Sequence, residues 1–124
     1  MGRIFYNGKP YAAVNAGLVP IGFEKVYFGT IIPDTYISNT NGQEIPYGGW
    51  SSTDYISISG NEMSVDLVRD DIYNAFYDSE KHFISSFNTY NMPITIPSNA
   101  KYVRFSLQTG NISPTTYLFC GSES

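Results

Sequence analysis

The chain contains very few of the side chains that carry enzyme chemistry. Its 124 residues include one cysteine and one histidine, and charged residues make up only 15%. A single cysteine, Cys120, excludes an internal disulfide, and we expect it to be a small hydrophobic residue near a frayed end. The single histidine, His82, excludes a multi-histidine zinc site. Its position beside a polar turn favours a solvated residue over the base of a nucleophile pair.

Other enzyme signatures are missing as well. There is neither a Gly-x-Ser-x-Gly elbow nor a phosphate-binding glycine loop. The adjacent carboxylates Asp70 and Asp71 would point to opposite faces of a strand, and nothing selects Glu62 or Asp66 for a glycosidase pair. The segment 39–44 is shorter than a calcium loop and has one carboxylate. We therefore expect a protein that is not an enzyme and has no metal or cofactor.

Positive charge is also scarce. Seven Lys and Arg residues are scattered along a chain whose formal net charge is −4. No basic run follows a phosphate backbone, so neither nucleic acid nor an anionic membrane is an expected partner. No apolar stretch approaches the roughly 20 residues of a membrane span. The start, MGRIFYNGKPYAAV, lacks the apolar core of a secretory signal, although export within a longer parent protein stays open.

Aromatic residues take the place of the missing charge. They reach 16% of the chain, with 11 Tyr and 8 Phe, and hydrophobic residues make up 42%. A chain of this length and composition can bury the core of one domain. Two explanations for the rings stay open: a binding surface of rigid amphipathic side chains, or the strand preference of Tyr and Phe.

The spacing of turn residues predicts an all-β fold. Turn signals recur every 8 to 12 residues, and no stretch has a sustained apolar period of 3.6. Thr53 to Ser59 and Lys101 to Gln108 alternate strictly, and the second places Val103, Phe105 and Leu107 in the core with Arg104 outward. We predict a two-sheet antiparallel β-sandwich. Further strands are expected at Phe23 to Ile32, Met63 to Arg69, Ile94 to Ile96 and Thr115 to Phe119.

A β-hairpin is predicted between Asp71 and Phe87, with a turn in which Asp78 bonds its own backbone amides. Asp71 has the same turn interpretation. The least regular region is Thr35 to Gly49, where Asn41-Gly42 closes a small hairpin between Tyr36-Ile37 and Glu44-Ile45. The predicted organisation is a lead-in or linker at 1–22, a sandwich domain at 23–119 and a tail at 120–124.

Rings near predicted loops form the best candidate for a binding site. Sugars present a C–H face that stacks on aromatic rings and hydroxyls that suit amides and arginine, and such a site needs little charge. Trp50 follows Gly48-Gly49 and is either an exposed platform or a core plug at the end of the sandwich. The candidate ligand-binding residues are Tyr47, Trp50, Tyr55, Tyr90, Asn88, Asn91, Arg104 and Gln108.

The order of three segments resembles a known family. The segments TDYISIS, NAFYDSEKHFISSF and PSNAKYVRFSL are similar to those of jelly-roll, carbohydrate-binding-module-like domains on tail and baseplate proteins of phages that infect Gram-positive bacteria. The matching elements are Tyr77-Asp78, Ser79 to Lys81, Phe83-Ile84 and Pro97 to Ser106, and the likeness spans roughly Phe23 to Phe119. The lead-in IFYNGKPY resembles segments that join such modules to a preceding tail domain.

The resemblance implies a jelly-roll fold and a receptor-binding role in a virion. Its partners would be host cell-wall or surface polysaccharide and other tail or baseplate subunits. The motif residues are structural, so the resemblance assigns no ligand contact. Two alternatives stay open: a structural assembly module of the tail or baseplate, and the binding module of a bacterial polysaccharide hydrolase, in which case the parent protein would be secreted.

Overall fold

A computed structural model describes residues 4–6, 9–14, 17–20, 22–67, 69, 71–90 and 92–122, with side chains from residue 22 onward. The described residues form β-strands and no helix, so none crosses a membrane as a helix. The strands are β1 Ile4–Tyr6, β2 Lys9–Val14, β3 Gly17–Pro20, β4 Phe23–Tyr27, β5 Ile31–Ile37, β6 Glu44–Thr53, β7 Ile56–Ser57, β8 Glu62–Val65, β9 Asn74–Tyr77, β10 Phe83–Phe87, β11 Ile94–Thr95, β12 Tyr102–Arg104, β13 Ser106–Gln108 and β14 Tyr117–Gly121.

The strand pairings that the structure describes are all antiparallel. The lead-in forms its own sheet, β1-β2-β3. Asn7-Gly8, for which the sequence predicts a tight hairpin turn, lies outside the described residues. The remaining sheets have the orders β10-β9-β12-β7, β13-β6-β5 and β11-β8-β14-β4. The all-β, antiparallel fold class predicted from the sequence is confirmed.

Two of these sheets form one continuous layer. Only Phe105 separates β12 from β13, and only Asp54 and Tyr55 separate β6 from β7. The Thr53 N–H donates to the Phe105 carbonyl at 2.9 Å and closes the gap between them. The first layer therefore has the order β10, β9, β12–β13, β7–β6 and β5, and the second layer has the order β11, β8, β14 and β4. The single strand predicted at Lys101 to Gln108 is thus interrupted at one residue.

The core lies between these two layers, which form a β-sandwich. Val103, Phe105 and Leu107 point into it, as their alternation predicts, and Met63 and Leu118 meet them from the second layer. Burial of these side chains is the main stabilising contribution in a chain without disulfides. The last strand extends to Gly121 and buries Cys120 completely, so the expected frayed end near Cys120 is wrong.

The strand predicted at Phe23 to Ile32 is two strands in different layers. β4 pairs with β14 in the second layer, and β5 pairs with β6 in the first. The chain crosses from the second layer to the first between Phe28 and Thr30. The Phe28 N–H still donates a hydrogen bond to the Thr116 carbonyl at 2.7 Å, whereas the Thr30 carbonyl already accepts one from the Asp54 N–H at 3.2 Å. Val26 and Phe28 before this point and Ile31 after it all pack in the same core, so the apolar pattern of the sequence does not show where one strand ends and the next begins.

The hairpin between β9 and β10 forms as predicted. In its turn, Oδ1 of Asp78 accepts hydrogen bonds from the N–H groups of Glu80 and His82, each at 2.9 Å. These bonds lower the pKa of Asp78, because they favour the ionised carboxylate. The turn interpretation of Asp71 is also confirmed, since its Oδ1 accepts a hydrogen bond from the N–H of Tyr73 at 2.5 Å.

The segment expected to be least regular, Thr35 to Gly49, contains the end of β5 and the first part of β6, the longest strand among the described residues. β6 pairs with β5 in a hairpin that Asn41-Gly42 closes, with Tyr36 opposite Ile45. The outer half of this hairpin, residues 35–46, folds across the outer surface of the first layer and is named here the folded hairpin. Its Ile37 N–H donates to Ser106 Oγ at 3.1 Å.

The folded hairpin explains why one predicted surface residue is buried. Arg104 points away from the core as its alternation predicts, yet it is only 4% exposed. The hairpin lies over it, and the carbonyl of Gly42 accepts a hydrogen bond from Tyr77 Oη at 2.5 Å nearby. Burial raises the pKa of Tyr77 to about 12, so its hydroxyl stays protonated and available as a donor.

Candidate functional site

Four aromatic side chains surround a cleft of about 210 Å³ at the outer surface of the first layer. Trp50 meets Tyr73 edge to face, with 5.5 Å between ring centroids, and Tyr36 meets Tyr47 in the same way at 5.6 Å. Tyr36 also lies edge-on to Tyr73 at 5.3 Å. These are preferred geometries for aromatic pairs, and they fix the walls of the cleft. We name this the aromatic cleft; its lining residues are Tyr36, Tyr47, Trp50 and Tyr73.

A local mismatch between β5 and β6 produces the aromatic cleft. Pro33 pairs with Ser51, and Thr35 pairs with Pro46, so a single residue of β5 faces four residues of β6. The facing residues, Asp34 and Gly49, both have positive φ angles of 55° and 88°. Asp and Gly are among the residues that adopt this region most readily. The extra residues of β6 include Tyr47 and Trp50, which the bulge brings against Tyr36.

Trp50 is half-buried, which resolves the two alternatives left by the sequence. It is neither fully exposed nor part of the core between the layers, because its ring forms one wall of the aromatic cleft. Tyr47 is 55% exposed and gives the cleft an open edge. The cleft is therefore accessible to a ligand from outside.

A second cleft of about 230 Å³ lies on the other side of the Trp50–Tyr73 pair. Gln108 pairs with Trp50 across β13 and β6, so the two predicted residues are neighbours. Tyr90 is 55% exposed at this second cleft. We name it the polar cleft. Its lining residues are Trp50, Arg69, Asp71, Ile72, Tyr73, Tyr90, Leu107 and Gln108.

Asp71 is one of the residues that line the polar cleft, and its carboxylate is fixed by the hydrogen bond from the Tyr73 N–H. Asp71 is 5% exposed, and its backbone N–H donates to Thr89 Oγ1 at 2.8 Å. Burial raises the pKa of Asp71 to about 6, against the lowering effect of hydrogen bonds from the N–H groups of Tyr73 and Ile72. A carboxylate that is fixed by its neighbours, on a residue that lines a cleft, is a pre-organised hydrogen-bond acceptor.

Tyr55 and Arg104 lie apart from Trp50, in a third cleft of about 560 Å³ beneath the tip of the folded hairpin. Among the described residues, none lines both the third cleft and the aromatic cleft. Arg104 Nε donates to the Thr53 carbonyl at 2.8 Å, and Nη2 donates to Glu44 Oε1 at 2.6 Å. Arg104 Cζ lies 4.8 Å from the centroid of the Tyr55 ring, and Lys81 Nζ lies 5.0 Å from it. These groups are engaged with one another, so they hold the hairpin in place.

The two predicted asparagines have different outcomes. Asn88 is exposed in the loop after β10, and its Oδ1 accepts a hydrogen bond from the N–H of Tyr90 at 3.0 Å. It therefore supports the backbone next to the polar cleft, whose lining does not include it. Asn91 lies outside the described residues.

Sequence reasoning missed three important lining residues: Tyr36, Tyr73 and Asp71. Tyr36 lay in the segment judged irregular, although the Asn41-Gly42 signal already placed it on a hairpin. Tyr73 lay in a predicted strand, and only the pairing of β9 with β12 brings it near Trp50. Asp71 is the turn residue that the sequence predicts, and no local pattern indicates that it also lines a cleft.

Comparison of the chain with models of protein families, with curated proteins and with solved structures found no match. Among the described residues, no group of three or more His, Cys, Asp or Glu side chains is placed to hold a metal ion. The local geometry and the resemblance described above therefore carry the functional argument.

Proposed function

We propose that this chain is a non-catalytic carbohydrate-binding module of a phage tail or baseplate protein, and that it recognises saccharide on the host cell surface. The aromatic cleft is the observation that carries the binding role. Rings held in fixed orientations stack on the C–H face of a sugar at little cost in conformational entropy, since they are ordered before the ligand arrives.

We also propose that the sandwich is a jelly roll. If the lead-in strands β1, β2 and β3 are left out and β5 is set aside as an addition at the edge, the remaining strands number one to eight as β4, β6–β7, β8, β9, β10, β11, β12–β13 and β14. The layers then have the orders 1-8-3-6 and 2-7-4-5, derived from the observed pairings. In this order strands from opposite ends of the chain pair within each layer, as in a double Greek key.

The virion assignment rests on the sequence resemblance. Its function there would be adhesion, with the module acting beside other tail or baseplate subunits. A cleft that grips one or two sugar rings gives weak binding by itself, because each site buries little surface. Many copies on one virion would convert weak single sites into firm attachment through avidity.

A glycan array combined with titration of purified cell-wall polysaccharide from Gram-positive bacteria tests the proposal. We expect binding to a limited set of saccharides and loss of that binding in Trp50→Ala, with circular dichroism confirming that the variant is folded. If the folded wild-type domain shows no binding in either assay, a saccharide-binding role is excluded.

A second candidate function, assembly with tail or baseplate subunits, is favoured by one feature of the second layer. Tyr27 and Tyr117 are 54% and 42% exposed and meet edge to face at 6.2 Å, and Lys25 Nζ lies 4.0 Å from the Tyr117 ring centroid. Isolated exposed apolar residues are normal on a protein surface, whereas exposed rings in mutual contact are typical of an interaction site. Size-exclusion chromatography of the chain with and without its neighbouring domain separates assembly from saccharide binding.

The remaining alternative is the binding module of a secreted bacterial polysaccharide hydrolase. It uses the same aromatic cleft, so saccharide assays do not separate it from the phage module. The parent gene does: a catalytic domain in the same polypeptide supports the hydrolase, and neighbouring tail genes support the virion.

A further inference from the structure

The aromatic cleft and the polar cleft share a wall. Trp50 and Tyr73 line both clefts, and the two volumes are nearly equal at about 210 and 230 Å³. The rings of Trp50 and Tyr73 are almost perpendicular, with an interplanar angle of 85°. A ligand that enters one cleft and passes over this pair therefore reaches the other.

The polar cleft has the chemistry that the aromatic cleft lacks. The carboxylate of Asp71 and the amide oxygen of Gln108 are acceptors, while Arg69 and the Gln108 amide nitrogen are donors. Tyr90 adds an exposed ring at the same cleft. A sugar hydroxyl both donates and accepts, so this mixture of groups suits a hydroxyl-bearing ring better than an apolar molecule.

We propose that the polar cleft is a second subsite of the saccharide site, in which the Asp71 carboxylate accepts hydrogen bonds from the hydroxyls of an uncharged sugar unit next to the one held in the aromatic cleft. This inference rests on the proposed function. It makes the ligand an oligosaccharide of at least two units that passes over the Trp50–Tyr73 pair.

The preference for an uncharged unit follows from the position of Asp71. Asp71 lines the cleft from a buried position, whereas Arg69 is exposed and its charge is screened by solvent. An anionic sugar would therefore bring a negative charge close to the less screened charge of Asp71. A hydroxyl that donates to an ionised carboxylate forms a bond about twice as strong as one between neutral groups. Asp71 therefore strengthens the binding of uncharged sugar units and weakens the binding of uronic acids and phosphorylated sugars.

The same carboxylate makes binding at this subsite sensitive to pH. The pKa of Asp71 is about 6, so the strong acceptor is lost as the pH falls through this value. Among the described residues, the other charged or titratable groups at the polar cleft are Arg69 on the preceding segment, Tyr73 immediately before β9 and Tyr90 after β10. Asp71 is the carboxylic acid among the described lining residues, so the response is assigned to it.

Isothermal titration calorimetry with uncharged glucose, galactose and N-acetylglucosamine oligosaccharides of one to six units tests the inference. At pH 8 we expect affinity to rise at least about tenfold between one unit and two or three units. Asp71→Asn, which keeps the size and one acceptor oxygen, should remove most of this gain. The gain should also shrink at pH 5 in the wild type.

Two exposed variants guard against a folding effect of the Asp71 change. Arg69→Ala and Tyr90→Ala alter the same cleft at exposed positions and should each reduce the gain with chain length. The second subsite would be overturned if affinity still rose with oligosaccharide length, as in the wild type, in all three variants: Asp71→Asn, Arg69→Ala and Tyr90→Ala. Equal affinity for a single sugar unit and for longer oligosaccharides would also overturn the second subsite.

These outcomes are distinct from failure of the proposed function. If single sugars bind and Trp50→Ala abolishes that binding, the saccharide-binding role stands whatever happens at Asp71. If no oligosaccharide of any length binds, the function and the second subsite both fall. Stronger binding of uronic-acid oligosaccharides than of uncharged ones would contradict the assigned role of Asp71 alone.

Discussion

Arg104 Nη2 lies 2.6 Å from Oε1 of Glu44, a residue 60 positions earlier in the chain. The pair joins β12 in the middle of the first layer to the start of β6 in the folded hairpin. The Arg104 side chain is 5% exposed, whereas that of Glu44 is 40% exposed. The hairpin is therefore attached to the sheet through a buried cation, and its position depends on that cation keeping its partner.

Glu44→Ala should destabilise the domain by about 3 kcal/mol, because it leaves a buried guanidinium without its carboxylate. Glu44→Gln should cost about 1–2 kcal/mol, since the amide oxygen still accepts a hydrogen bond but carries no charge. Urea unfolding followed by intrinsic fluorescence measures both. Glu80→Ala, a change to an exposed carboxylate in the β9–β10 turn, serves as the control and should have no measurable effect. Equal stability of Glu44→Ala and the wild type would show that the pair does not hold the hairpin.

Gly42→Ala should also release the tip of the folded hairpin, at a cost of about 1–3 kcal/mol. Gly42 has a φ of 71°, and an added Cβ would lie 2.5 Å from Phe83 Cδ1 and 3.1 Å from Tyr77 Cε2. Gly48→Ala is the matched control, because no atom lies within 4 Å of its added Cβ and its φ is not in the left-handed region. A thermal melt of each variant measures the difference. Similar midpoints for the two variants would mean that the tip is not packed against the sheet.

The hairpin also marks the limit of what the sequence predicts about this fold. Alternation predicts the inward residues of β12 and β13, and the Asp78 turn is local enough to be evident from four residues. The folding of residues 35–46 over the sheet depends on contacts between segments 35 to 69 positions apart, such as Tyr77 with Gly42 and Ile37 with Ser106. Pairings of this range have no local signature, so alternation places Arg104 outward without indicating that the hairpin covers it.

The same distinction applies to the site. Trp50, Tyr47, Tyr90 and Gln108 could be selected from ring chemistry and nearby turns, and the structure brings them to two adjoining clefts. The remaining rings of these clefts are Tyr36 and Tyr73. Their positions depend on the bulge opposite Asp34 and on the order of strands in the first layer. Neither is encoded in a short window of residues, which is why Tyr55 was grouped with Trp50 although the two line separate clefts.

Asp71 should make the domain less stable as the pH rises from about 4 to about 6. Its pKa in the folded protein, about 6, is above the ordinary value of 3.8 because of burial. Between these values the folded state binds more protons than the unfolded state, so the free energy of unfolding falls with increasing pH. Asp71→Asn removes this contribution and should therefore be stabilised relative to the wild type at pH 7 more than at pH 4.

Urea titrations of the wild type and Asp71→Asn at intervals between pH 4 and 7.5 measure this effect. Other carboxylates titrate in both proteins, so only the difference between the two curves reports on Asp71. A difference that does not change across the range would contradict the raised pKa.

Tyr47→Ala should weaken saccharide binding at least about tenfold, which corresponds to 1.4 kcal/mol, while leaving the fold intact. Tyr47 forms the open edge of the aromatic cleft and is 55% exposed, so its removal takes a stacking surface from the ligand and little packing from the protein. Tyr27→Ala is a closely matched control, because Tyr27 is 54% exposed but lies in β4 of the other layer. Titration calorimetry with the saccharide selected on the array compares the two variants. If both weaken binding equally, the aromatic cleft is not the contact surface; if only Tyr27→Ala does, the ligand lies on the second layer.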